Sequence, residues 1–294
     1  MKSRDLIAAT LPTTGRGTLV AILSFLPLLG MTQTIQDRRV EVGGYQLHIS
    51  EAGSGTPAVV FESGLGEDVA TWSDVQPQVA HFARTIAYDR AGLGKSDPSP
   101  HPKTVLEMAA ELHSLLHTAK VQPPYVLVGH SLGGAIVQVF AHSYPREVAG
   151  MVLVDPEDGR LNDRLRSRMS ATEWAQRQKA MDEVMPKFTA TQKAELEAYK
   201  SSGKDLANAM PLPDVPIILL TGTKKNPEFP GNPLEQDLKL QLHNELLAKI
   251  PNSQHVLVPN SRHYIQNDAP ELVIQAIRDV VRHSTSTAGS ANKD

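Results

Sequence analysis

An α/β fold, with a mostly parallel central sheet flanked by helices, is predicted by two patterns in the chain. Short apolar runs such as Ala58–Phe61, Tyr125–Val128, Met151–Val154 and Ile217–Leu220 lack polar alternation, which marks strands buried on both faces. Stretches with apolar residues at helical spacing lie between several of them, as in Val105–Lys120 and Leu132–Tyr144. Strands alternating with helices give a parallel sheet covered on both sides.

The elements follow in order. Val40 to Ile49 reads as strand–turn–strand, broken by Gly43-Gly44, a hairpin turn. Ala58–Phe61 and Thr85–Tyr88 are short buried strands. The helix Val105–Lys120, the strand Tyr125–Val128, the helix Leu132–Tyr144 and the strand Met151–Val154 come next. From about Arg160 to Met210 the alternation stops. That segment is charged, shows no strand, and carries Leu161, Leu165, Met169, Trp174, Met181, Met185, Phe188, Leu196 and Tyr199 in a helical pattern. It reads as a helical lid inserted between two strands, with a Met- and aromatic-bearing wall toward a substrate pocket. Strands at Ile217–Leu220 and Val256–Val258 and an amphipathic helix at Glu271–Arg282 close the pattern. The expected organisation is a leader over 1–32, a core over 33–155 and 214–283, a lid over 156–213, and a flexible tail over 284–294.

Composition narrows the function. The chain has 294 residues, 40% hydrophobic and 21% charged, with a formal net charge of −3. No long run of one sign is present, so neither a nucleic-acid footprint nor a polybasic membrane patch is expected. There is no cysteine, which removes disulfides, thiolate metal sites and a cysteine nucleophile together. Lys2, Arg4 and Arg16 precede the apolar run Thr18–Leu29. That run is shorter than the ~20 residues of a membrane-spanning helix and contains Pro27, so it reads as a secretory signal. An exported protein without a stable membrane span is the expectation.

The chemistry centres on Gly129-His130-Ser131-Leu132-Gly133, directly after a strand and directly before a helix. A G-x-S-x-G there puts the serine on a sharp strand-to-helix turn, its hydroxyl projecting from the sheet edge. The helix N-terminus behind it directs free N–H groups at developing negative charge. Ser131 is the expected nucleophile, and the Leu132 N–H the first oxyanion donor.

Four motifs in order make the chain, over Val40 to Val281, resemble the α/β-hydrolase superfamily. They are the loop Phe61-Glu62-Ser63-Gly64-Leu65-Gly66, the stretch Asp89-Arg90-Ala91-Gly92-Leu93-Gly94-Lys95-Ser96 (D-x-x-G-x-G-x-S), the Ser131 turn, and the late Ser261-Arg262-His263-Tyr264. The resemblance implies that His263 is the general base and that Leu65 supplies the second oxyanion N–H. It leaves the acid open. The loop after Ile217–Leu220, where most members carry it, reads Thr-Gly-Thr-Lys-Lys-Asn-Pro, and its first carboxylate is Glu228. The other placement, at the end of the preceding strand, holds Asp155. Asp155 is the favoured acid and Glu228 the alternative, with Glu157, Asp158 and Asp237 behind them. Glu62 reads as a loop staple paired with Arg90, or else as a second acid near the site. His130 reads as a packing or pocket-lining side chain.

The expected activity is hydrolysis of a small-molecule carboxylic ester or related acyl compound through an acyl-enzyme, with no cofactor and no metal. No H-E-x-x-H or dinucleotide fingerprint is present. Aminopeptidase, carbon–carbon bond hydrolase, and haloperoxidase or perhydrolase activities are alternatives, as is a non-catalytic ligand-binding member of the fold.

Overall fold

The computed structural model describes residues 34–101, 103–226 and 232–291. The leader over 1–32 and the alternative acid Glu228 lie outside the described residues.

Eight strands form one sheet: β1 (Gln36–Val42), β2 (Tyr45–Ala52), β3 (Ala58–Glu62), β4 (Thr85–Tyr88), β5 (Tyr125–His130), β6 (Val148–Val154), β7 (Ile217–Gly222) and β8 (Ser253–Val258). Their spatial order is β1-β2-β4-β3-β5-β6-β7-β8. β2 runs antiparallel to β1 and β4, and every pairing from β4 onward is parallel. β3, β4, β5 and β7 are buried along their whole length, as their unbroken apolar runs require. Gly43 and Gly44 turn the β1–β2 hairpin with positive φ.

The pleat divides the core in two. Phe61, Val128, Val152 and Val154 face one side, under Val273 and Ile277. Val60, Leu127, Leu153 and Leu219 face the other, under Leu112, Ile136 and Phe140. Alternate residues of one strand thus feed opposite layers. The covering helices are α1 (Gln76–Val79), α2 (Val105–Thr118) and α3 (Leu132–Ser143), then α4 (Leu161–Arg168), α5 (Ala171–Val184) and α6 (Ala190–Asn208) between β6 and β7, then α7 (Asn232–Leu247), α8 (Ile265–Asp268) and α9 (Pro270–Ala291). Among the described residues no helix is long and apolar enough to cross a membrane.

Several strand ends differ from the sequence reading by two or three residues, and two helices depart from it further. α9 continues past Arg282 to Ala291, with Thr285 Oγ1 bonded back to the Val281 and Arg282 carbonyls. Ser284 Oγ is likewise bonded to the Val281 carbonyl. α7 was not foreseen at all. Its only distinct apolar stripe is short, and it becomes legible as an element when Leu238 and Leu242 meet Leu161 and Leu165 of α4.

Register positions the site. In the β5–β6 pairing His130 stands opposite Val154, so the next residues, Ser131 and Asp155, emerge side by side from the carboxyl ends of neighbouring strands. The chain reverses its direction across the sheet between β3 and β5. This is the topological switch where open α/β sheets form a crevice.

Candidate active site

Ser131 occupies a left-handed backbone position, φ 54° and ψ −121°, between β5 and α3. Side chains larger than hydrogen are excluded around it. A Cβ on Gly133 would stand 2.3 Å from the Glu62 carbonyl oxygen, and one on Gly129 would stand 2.5 Å from the Gly133 carbonyl oxygen. The glycines of the motif therefore let β3, β5 and α3 converge beneath the serine. Asp155 also has positive φ, 45°. Non-glycine residues held there mark positions that the surroundings over-determine.

Three of the residues singled out by sequence come together. Ser131 Oγ lies 2.9 Å from His263 Nε2, and His263 Nδ1 lies 2.6 Å from Asp155 Oδ2. Ser131 and Asp155 are buried, while about 30% of the His263 side chain remains exposed. The Nδ1–H donates to the carboxylate, which leaves Nε2 to accept from the Ser131 hydroxyl. The other Asp155 oxygen, Oδ1, accepts the Gly222 N–H at 3.0 Å. Burial pushes the Asp155 carboxyl up, but Lys239 and His263 outweigh it and hold the group well below the usual carboxylate range. Burial lowers the His263 pKa, and the hydrogen bond and charge of Asp155 more than reverse this, so the net shift is upward.

Of the other candidate acids, Glu157 places Oε1 3.9 Å from His263 Nε2, on the opposite side of the ring from Asp155. Asp158 pairs with Arg160 and Asp237 with Lys225, so neither contacts His263.

Leu132 is the first residue of α3, where N–H groups have no partner within the helix. Leu65 sits in the loop after β3, half-buried against the core. Its neighbours' amides are taken by carboxylates: Gly64 N–H by Glu67 at 2.9 Å and Gly66 N–H by Glu195 at 2.7 Å.

Arg90 fixes that loop. Its five N–H donors are all used: Nε and Nη2 to Glu195 at 2.9 and 2.8 Å, Nη1 to Glu62 and the Ser63 carbonyl at 2.7 Å each, and Nη2 to the Gly64 carbonyl at 2.6 Å. Arg90, Glu62 and Glu195 are all buried. Glu62 is therefore a loop staple on Arg90, and it also receives the Tyr88 hydroxyl.

Three participants were not anticipated. Lys239 of α7 is buried and paired with Asp155. The available signal was its four-residue spacing from His243, which places both on one helix face. Glu195 is a carboxylate on the packed face of α6. Periodicity reads such a residue as surface, because its cation lies 105 positions away. His130 does more than pack: its Nε2–H donates to the His263 carbonyl at 3.1 Å, and its Nδ1 lies 3.1 Å from Glu67 Oε2. The residue before the serine thus ties down the loop that carries His263. Among the described residues no group of three or more His, Asp or Glu could hold a metal ion.

Comparison with known proteins agrees with this architecture. A family model described as the alpha/beta hydrolase fold matches residues 57–203. YqjL, an uncharacterised protein of Bacillus subtilis, is 28% identical over 251 residues, covering 85% of this chain and 94% of that protein. The putative carbamate hydrolase RutD of Cronobacter turicensis is 36% identical over 112 residues, 37% of this chain and 42% of that one. Several other curated relatives are likewise matched over less than half their length. A thermophilic esterase from Thermogutta terrifontis superposes with a TM-score of 0.55 at 23% identity, over 85% of this chain and 99% of that one. At that identity the likeness concerns the fold.

Proposed function

Because the chain belongs to the alpha/beta hydrolase fold family, we propose that it is a serine hydrolase cleaving carboxylic esters or related acyl compounds. The observation that carries this reading is the continuous chain from Ser131 Oγ through His263 to Asp155, with links of 2.9 and 2.6 Å. A serine hydroxyl is a weak nucleophile until a base takes its proton. In the proposed reaction His263 Nε2 removes that proton as Oγ attacks the carbonyl carbon. Asp155 holds the ring with Nε2 facing the serine and stabilises the imidazolium. The Leu65 and Leu132 N–H groups receive the oxyanion, each such donor being worth about 3 kcal/mol of transition-state stabilisation.

As the tetrahedral intermediate collapses, the ester C–O bond breaks and His263 passes its proton to the leaving alkoxide. A water then loses a proton to His263, attacks the acyl-enzyme and releases the acid, returning Ser131 to its starting state. Helices α4–α6 act in this reading as the lid that shapes the acyl and alcohol sites. Export through the 1–32 leader belongs to the same proposal, and N-terminal sequencing of the mature protein tests it.

Turnover of p-nitrophenyl acetate and butyrate, with Ser131→Ala as the control, tests the activity. Turnover by wild type, its loss in Ser131→Ala, and labelling of Ser131 by a fluorophosphonate are the expected results. Absence of both turnover and labelling overturns the reading.

A further inference from the structure

We propose that the cavity lined by Glu157, whose carboxylate neighbours His263, takes a protonated amine on the substrate's leaving group, so that the preferred substrates are esters of amino alcohols, with Glu157 pairing with the ammonium. The proposal rests on the ester-hydrolase reading above and names its substrate class.

Position is the first argument. The Glu157 N–H is bonded to the Ser131 carbonyl at 3.1 Å, so its backbone is fixed to the nucleophile's own turn. Its Oε1 stands 3.9 Å from His263 Nε2. That nitrogen hands a proton to the leaving oxygen, so a carboxylate next to it is next to the alcohol half of the ester.

The second argument is unmet electrostatic demand. Glu157 Oε2 is covered and has no hydrogen-bond partner, the Tyr199 hydroxyl being the neutral group that interacts with the carboxyl, and burial pushes the Glu157 carboxyl up. The nearby cations are committed elsewhere: Lys239 to Asp155, Arg177 to Glu235, Lys200 to Glu197. A largely covered carboxylate without a fixed cation is costly, and a cationic ligand reduces that cost.

The third argument is the space itself. Glu157 lines a cavity of about 440 Å³ between α4, α5, α6 and the start of α7, within the range of small-molecule sites. Leu161, Leu165, Met181 and Met185 make its apolar wall, and Tyr199 contributes a ring and a hydroxyl. Its ionisable lining is Glu157, Asp182 and Glu235 against Arg177 and Lys200, an excess of negative charge. An alkylated ammonium matches both properties, its charge on Glu157 and its carbons on Leu, Met and the Tyr199 face. A cation there also sits near the imidazolium formed during reaction, and the Glu157 carboxylate between them offsets the repulsion. The amine itself is unchanged: the bond broken is the ester C–O.

The test compares kcat/KM for 2-(dimethylamino)ethyl butyrate and its carbon isostere 3-methylbutyl butyrate, with p-nitrophenyl butyrate as reference. Wild type is expected to favour the amine by about tenfold or more, the value of one charge-assisted hydrogen bond. Glu157→Gln should bring the ratio of the two esters close to unity, and Glu157→Asp, which keeps the charge, should retain most of it. Parity in wild type, or a preference that survives Glu157→Gln, overturns the proposal. If p-nitrophenyl butyrate is turned over while the amine preference is absent, only the amine site fails. If no ester is turned over, the hydrolase reading fails.

Discussion

Lys239 Nζ is hydrogen-bonded to Asp155 Oδ2, the same oxygen that receives the His263 Nδ1–H. One carboxylate oxygen therefore serves both a fixed cation and the imidazole. The lysine offsets the desolvation of a fully buried aspartate, and it draws on charge that would otherwise stabilise protonated His263. Replacing Lys239 with Met removes that competition, and the His263 pKa rises. As the proposed base, His263 must be neutral to act, so the acid limb of the kcat/KM–pH profile should move upward. An acid limb left where wild type has it on p-nitrophenyl butyrate would show that Lys239 does not tune the pair.

The same geometry changes what Asp155→Asn is expected to do. Loss of the carboxylate should lower kcat by about 10⁴, the scale of the analogous triad change. It also strands Lys239, which is 4% exposed, without its partner, and an unpaired buried charge is strongly destabilising. Asp155→Asn should therefore melt well below wild type, and Asp155→Asn with Lys239→Met should regain much of the lost stability without regaining activity. Thermal unfolding and turnover measured on all three proteins separate the two roles. Near-wild-type turnover in Asp155→Asn would transfer the acid's role to another carboxylate.

The strand and helix pattern was legible because β3, β5, β6 and β7 are continuous apolar runs, and Ser131 because its glycine spacing has a steric cause at Gly129 and Gly133. Asp155 could only be ranked among several carboxylates. What selects it is register, since His130 opposite Val154 brings the next residues of two strands together, and pairing register is not written in either strand alone. Lys239 and Glu195 stayed hidden for a related reason. A charged residue on a helix reads as solvent-facing until its partner is placed, and these partners are 84 and 105 positions distant.

Arg90 is the next place where charge and structure are coupled. It is 1% exposed, between Glu62 and Glu195, both fully buried. Arg90→Met leaves Glu62 without a cation and Glu195 with only Lys103, 3.6 Å away. The expected loss is about 3–5 kcal/mol, read from urea unfolding. The loop carrying Leu65, the proposed oxyanion donor, also loses the bonds to its Ser63 and Gly64 carbonyls, so kcat should fall even where the variant remains folded. A loss below about 1 kcal/mol, within the range of ordinary exposed pairs, would mean that the three groups are not a coupled unit.

His243 gives a stability prediction with a definite sign. It is buried behind the site, donating Nε2–H to the Pro156 carbonyl at 2.8 Å and meeting the Thr221 hydroxyl at 2.7 Å through Nδ1. Burial lowers its pKa to about 4, against about 6.5 in the unfolded chain. Between these values the unfolded state binds the extra proton, so stability is full above pH 6.5 and declines as pH falls, by about 3 kcal/mol once pH is below 4. The raised pKa of His263 acts oppositely, adding stability at low pH that is lost as pH rises, so the wild-type slope alone does not isolate His243. The difference from His243→Gln does, because Gln keeps a donor and an acceptor but does not titrate. Unfolding free energies measured from pH 7.5 to pH 4.5 should fall more steeply in wild type than in His243→Gln. Parallel slopes would mean that His243 carries its proton in the folded protein as readily as in the unfolded chain.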